Sequence, residues 1–70
     1  MKKLFRLYHS RGHGFIQFND YSPVLLTAKN NPSWRVTIVT INEHSLIQSE
    51  EEVPEYNLNS DYLWSVQRTK

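Results

Sequence analysis

The chain contains no cysteine, and only two glycines and three prolines in 70 residues. Without thiols, disulfide staples, thiolate zinc sites and cysteine nucleophiles are all excluded. No apolar run exceeds a few residues, so no segment reads as a membrane span and no membrane contact is expected. The opening Met1-Lys2-Lys3-Leu4-Phe5-Arg6 looks like a signal-peptide start, yet Arg6, His9 and Arg11 interrupt any apolar stretch behind it. The expectation is a soluble, cytoplasmic protein that begins at its natural start. Apolar residues amount to 39%, little for a compact domain, so Trp34, Trp64, three Phe and four Tyr have to enlarge the core. The length allows a single small domain over residues 1–70. A domain of this size buries only about 60% of its unfolded surface and is marginally stable.

Net charge is +1, from eight Lys/Arg against seven Asp/Glu. Its distribution is more informative. Residues 1–35 carry six cations against Asp20 alone, whereas residues 36–70 carry Arg68 and Lys70 against six acids. Such asymmetry produces a pole attractive to phosphates or acidic proteins if the halves stay apart, and paired charges if they interleave.

Blocks rich in β-branched and aromatic residues alternate with turn formers. They cover residues 4–9, 13–19, 24–28, 34–42 and 62–67. Asp20-Tyr21-Ser22-Pro23 reads as a break, because proline lacks the N–H a central strand needs. Trp34 to Asn42 is the clearest strand, with apolar residues on both faces, as a central strand requires. In the final block, alternation places Tyr62, Trp64 and Val66 on one face. Ser49-Glu50-Glu51-Glu52 fits a helix capping box, but Pro54 disfavours a helical Val53, so a solvated acidic loop is the preferred reading. Five blocks predict an all-β fold, a small five-stranded barrel or a strongly curved antiparallel sheet. The alternative is an α+β fold with one short helix near residues 49–58.

One segment carries a recognisable chemistry. Residues 11–18 read Arg11-Gly12-His13-Gly14-Phe15-Ile16-Gln17-Phe18. They match the ribonucleoprotein octamer at every constrained position except the third, where His13 replaces an aromatic. On a strand, Ile16 and Phe18 would fill the core while Phe15, with His13 beside it, faces outward and stacks on unpaired bases. Arg11 would meet a phosphate, and Gly12 and Gly14 would admit a nucleic-acid backbone. Lys3, Arg6, Tyr8 and Lys29 complete the basic and aromatic set expected to bind nucleic acid.

The octamer resembles that of RNA-recognition motifs and the shorter Lys-Gly-Phe-Gly-Phe-Ile of cold-shock, OB-type domains. In the former it follows a strand and a helix, which ten residues cannot hold. In cold-shock domains it lies on the second strand, behind a basic and aromatic first strand like Leu4-Phe5-Arg6-Leu7-Tyr8-His9. That resemblance implies a five-stranded barrel that binds single strands, and covers roughly the first quarter of the chain. The family's next motif, Val-Phe-Val-His, has no counterpart in Val24-Leu25-Leu26-Thr27.

Other combinations carry less. His9, His13, His44 and Glu43 include ligand types for zinc or iron, but strand spacing does not converge them, and no metal or other cofactor is expected. His9 with His13 has the residue types of an acid–base pair, yet no supporting cluster recurs, so the chain is not expected to be an enzyme. Trp34 and Trp64 are expected to anchor the core. Two functions remain. The first is a non-enzymatic binder of single-stranded RNA or DNA, using the first two strands. The alternative is a phage-type inhibitor or modulator that makes a stoichiometric contact with a host enzyme or defence complex. Homodimerisation is compatible with either.

Overall fold

A computed structural model of the chain describes residues 2–68, so Met1 and the cation Lys70 lie outside the described residues. The chain order is β1 (Lys2–Tyr8), β2 (Phe15–Phe18), α1 (Tyr21–Asn30), β3 (Arg35–Ile41), β4 (Ile47–Glu52), a 3-10 turn (Glu55–Asn57) and α2 (Ser60–Arg68). All strand pairings are antiparallel and the sheet order is β2-β1-β3-β4. The fold is therefore α+β, an open four-stranded sheet with two helices, and not the all-β barrel expected from the sequence. The α+β alternative had the class but not the placement, since residues 49–58 hold most of β4 and the 3-10 turn.

The first displaced element is residues 24–28, expected to be a strand and found within α1. Asp20 caps this helix, its Oδ1 accepting from the Ser22 N–H at 3.2 Å. Pro23 then falls in the first turn, where its missing N–H leaves no bond unmade. Val24 and Ala28, four apart, are buried together, and Leu25 packs beside them. At the far end Asn31 Nδ2 donates to the Thr27 carbonyl at 2.9 Å, and Pro32 follows.

The final block is likewise helical. Asn59 Oδ1 accepts from the Tyr62 N–H at 2.9 Å, with Asp61 in the first turn of α2 and Arg68 in the last, both favoured by the helix dipole. Leu63 is the fully buried residue of α2, with Tyr62 and Val66 beside it. Trp64 is 47% exposed. Its ring lies 4.5 Å from the Arg68 guanidinium, one helical turn away. Trp64 is thus not the expected core anchor, whereas Trp34 does pack against the core.

The two faces of the sheet differ. Phe5 and Leu7 of β1 and Val36 and Ile38 of β3 point to one side, where they join Val24, Ala28, Val53 and Leu63 in one buried cluster. Both helices pack there. The alternate residues Arg6, Tyr8, Phe15, Gln17, Thr37, Glu50 and Glu52 share the other face, which no helix among the described residues covers. Leu4 and Val39 pair across strands on that face and are buried too.

β4 is the strand that local preference argues against, because glutamate is depleted in strands. Tertiary contacts override the preference. Asn42 Oδ1 accepts from the N–H groups of His44 at 2.9 Å and Leu46 at 3.0 Å, and Ser45 adopts a φ of 63°. That turn folds the chain back along β3. Pro54 still bars a helical Val53, and the same restriction suits an extended Val53, whose N–H donates to the Val36 carbonyl at 2.9 Å.

Candidate binding face

Arg6 and Tyr8 stand on the open face of β1, and the cross-strand partner of Tyr8 is Phe15. Ring centroids of Tyr8 and Phe15 are 5.2 Å apart at a tilted angle of 48°. Phe15 is 43% exposed, so its ring is displayed rather than buried. The Arg6 guanidinium carbon lies 4.2 Å from that ring's centroid, and Arg6 Nε donates to Gln17 Oε1 at 3.0 Å. Arg35 approaches the Tyr8 ring at 5.7 Å. Ile16 and Phe18 alternate to the helix side, as the octamer's strand geometry requires, although Ile16 is incompletely covered there.

The face carries acid as well as base. Arg6 Nη1 lies 3.5 Å from Glu50 Oε1, and Arg35 Nη1 lies 3.5 Å from Glu52 Oε1. Cations from the first half of the chain thus meet acids from the second, and on this face the two halves interleave. Glu50 accepts two further bonds on Oε2, from the Tyr8 hydroxyl and from Thr37 Oγ1 at 2.7 Å. The Tyr8 hydrogen bond, chiefly, holds the Glu50 carboxyl below its ordinary value of 4.5. Burial opposes it, while the Thr37 bond and the Arg6 charge add to it.

A depressed carboxylate stabilises the fold above its unfolded pKa, and that contribution disappears as pH falls through the folded value. Glu50→Gln removes this linkage. Urea midpoints measured from pH 6 down to about pH 3 are expected to fall less steeply for Glu50→Gln than for the native chain, mainly below the ordinary carboxylate pKa. Parallel curves would contradict the arrangement around Glu50.

The seven residues expected to bind nucleic acid do not all come together. Arg6, Tyr8 and Phe15 form one cluster. Arg11 and His13 lie in the exposed loop that joins β1 to β2, which the His9 N–H closes onto the Gly14 carbonyl at 3.3 Å. Because β2 starts at Phe15, His13 is not a strand neighbour of that ring. Lys3 points to the helix side, where its Nζ donates to Thr40 Oγ1 at 2.8 Å. Lys29 belongs to the last turn of α1, in the layer behind the sheet. Gln17, Thr37 and Glu50 join the cluster, although they are not among the residues expected from the sequence. The alternation of 50 and 52 along a strand could have signalled Glu50 only if β4 itself had been legible.

Neither octamer glycine is demanded by the fold. Both have negative φ, and an added Cβ would come no nearer to another atom than 3.8 Å at Gly12 and 4.0 Å at Gly14. The His9 ring lies against Trp34, with centroids 4.0 Å apart. Among the described residues no three His, Asp or Glu side chains gather as a metal site would need. No helix among them is long and apolar enough to cross a membrane. A groove of about 770 Å³ opens at the end of the sheet, over Leu25, Trp34 and Val53, with Lys29 and Arg35 offset by Glu52 and Glu55. Among the described residues no buried side-chain polar atom lacks a partner there or elsewhere. Compared with protein-family models, curated proteins and solved structures, the chain matches none of them.

Proposed function

We propose that this chain is a small non-enzymatic protein that binds single-stranded nucleic acid on the open face of β1 and β2. The observation that carries the reading is the Tyr8–Phe15 pair, two adjacent aromatic rings on an uncovered sheet face, one of them substantially exposed. A sheet backed by helices and displaying aromatics is a general way to stack unpaired bases. Each stacked base contributes about 1–3 kcal/mol, largely irrespective of its identity. Arg11 and His13 stand exposed in the loop that leads into β2, open to a phosphate, and Arg6 supplies a further cation beside the Phe15 ring. Lys3 and Lys29 take no part, because they belong to the helix side.

The pairing of Arg6 with Glu50 and of Arg35 with Glu52 limits the electrostatic attraction, so binding is weak at physiological salt. The same pairing favours a second reading, a stoichiometric contact with a protein. Aromatic and arginine side chains also anchor protein interfaces, and neutralised cations suit such a partner better than a phosphate backbone. Titration of a labelled oligothymidylate at several salt concentrations separates the two. The nucleic-acid reading expects log K to fall with log salt by about 0.7 per phosphate contacted, and about 1.4 for two contacts. No binding at low salt, or binding that is flat across salt, contradicts it and leaves the protein contact.

A further inference from the structure

On the open face, three donors from two strands converge on one carboxylate from a third. Arg6 Nη1 and the Tyr8 hydroxyl come from β1, the Thr37 hydroxyl comes from β3, and all reach Glu50 of β4. Glu50 stands opposite Val39 in the register, so its side chain leans diagonally past β3 to reach β1. A guanidinium with two hydroxyls is a donor set for any tetrahedral or planar oxyanion. It also lies beside the displayed Phe15 ring, through Arg6 at 4.2 Å.

We propose that Arg6, Tyr8 and Thr37 form a phosphate-binding subsite that the Glu50 carboxylate fills from within the chain, so that an incoming phosphate binds by displacing Glu50. The inference deepens the nucleic-acid reading, on which its biological use rests, by assigning the place of one phosphate on the face. Displacement is local. β4 is an edge strand paired on one side only, all six of its residues are exposed, and the Glu50 side chain itself is 29% exposed. Rotation of that side chain into water clears the donors without unpairing the strand. Arg6 keeps its bond to Gln17, which holds the guanidinium in place. Glu52 stays engaged by Arg35.

The test compares the native chain with Glu50→Ala and Glu50→Gln, each titrated with inorganic phosphate and, separately, with an oligothymidylate. Binding is followed by amide and arginine Nε–H chemical shifts. Tenfold or tighter phosphate binding is expected in Glu50→Ala, with the largest shifts at Arg6, Tyr8 and Thr37, and loss of the gain when Thr37→Val is added. Glu50→Gln, close in shape to the native residue, should show a smaller gain in the same direction and covers the case in which the alanine variant does not fold. Equal phosphate affinity in native and variant chains, or shifts elsewhere, overturns the subsite. If the variants gain phosphate but no chain binds the oligonucleotide, the subsite stands and the nucleic-acid reading falls. If the oligonucleotide binds all chains alike and phosphate shows no gain, the reading stands and the subsite falls.

Discussion

Phe15→Ala is expected to weaken oligonucleotide binding by about 1–3 kcal/mol, a loss of roughly 5- to 150-fold in affinity. The effect is large because the ring stands on the open face next to Tyr8, so truncation removes a stacking surface as well as the support for the Arg6 guanidinium. The fold should survive. The ring is 43% exposed and lies outside the buried cluster, so the stability cost is about 1 kcal/mol from lost ring and cation contacts. Phe15→Trp should retain binding, since indole offers a larger face. Leu26→Ala, at an exposed position of α1 behind the sheet, should leave affinity unchanged. Fluorescence anisotropy at low salt, with thermal melts of the same samples, checks both halves of the expectation. A Phe15→Ala chain that binds like the native one excludes the aromatic platform.

Phe5→Ala is expected to have the largest effect on folding. Phe5 is fully buried at the centre of the cluster formed by β1, β3 and both helices. Removing its ring costs about 3–5 kcal/mol, through lost burial and the cavity left behind. A domain of 70 residues has only about 4–10 kcal/mol in total at typical per-residue stabilities. The variant should therefore lose about half of its stability and unfold at a much lower urea concentration than the native chain. Leu63→Ala should cost about 2–5 kcal/mol by the same mechanism, and it also tests whether α2 unfolds together with the sheet. Urea denaturation followed by circular dichroism reads both. A Phe5→Ala midpoint close to the native one would mean that the cluster does not hold the fold together.

The residues differ in how plainly they announce their places. The central strand β3 was legible because Val36, Ile38, Val39 and Ile41 are apolar on both faces, and the observed strand spans Arg35–Ile41. Phe15 was legible as well. Strand alternation alone sends it away from Ile16 and Phe18, and the register with β1 does the same. The helices carry sequence signals that a strand reading competes with. Tyr21, Val24, Leu25 and Ala28 have helical spacing, and Asp20 with Pro23 marks a helix start as readily as a break. In α2 the alternation of Tyr62, Trp64 and Val66 was coincidental, since the buried residue is the intervening Leu63. β4 could not be read locally. Three consecutive glutamates form a strand because the Asn42 turn brings them against β3 and because Arg6 and Thr37 meet the Glu50 side chain and Arg35 meets that of Glu52. With β4 hidden, so was Glu50, and with it the neutralisation of the cations on which the binding face depends.

A nitrogen-15 chemical-shift map of the chain, titrated with an unlabelled single-stranded oligonucleotide, tests the binding face most directly. A contiguous footprint is expected on Arg6, Tyr8, Phe15, Gln17 and the Arg11–His13 loop, with α1 and α2 unmoved. A footprint on the helices, or no footprint at low salt, would contradict it.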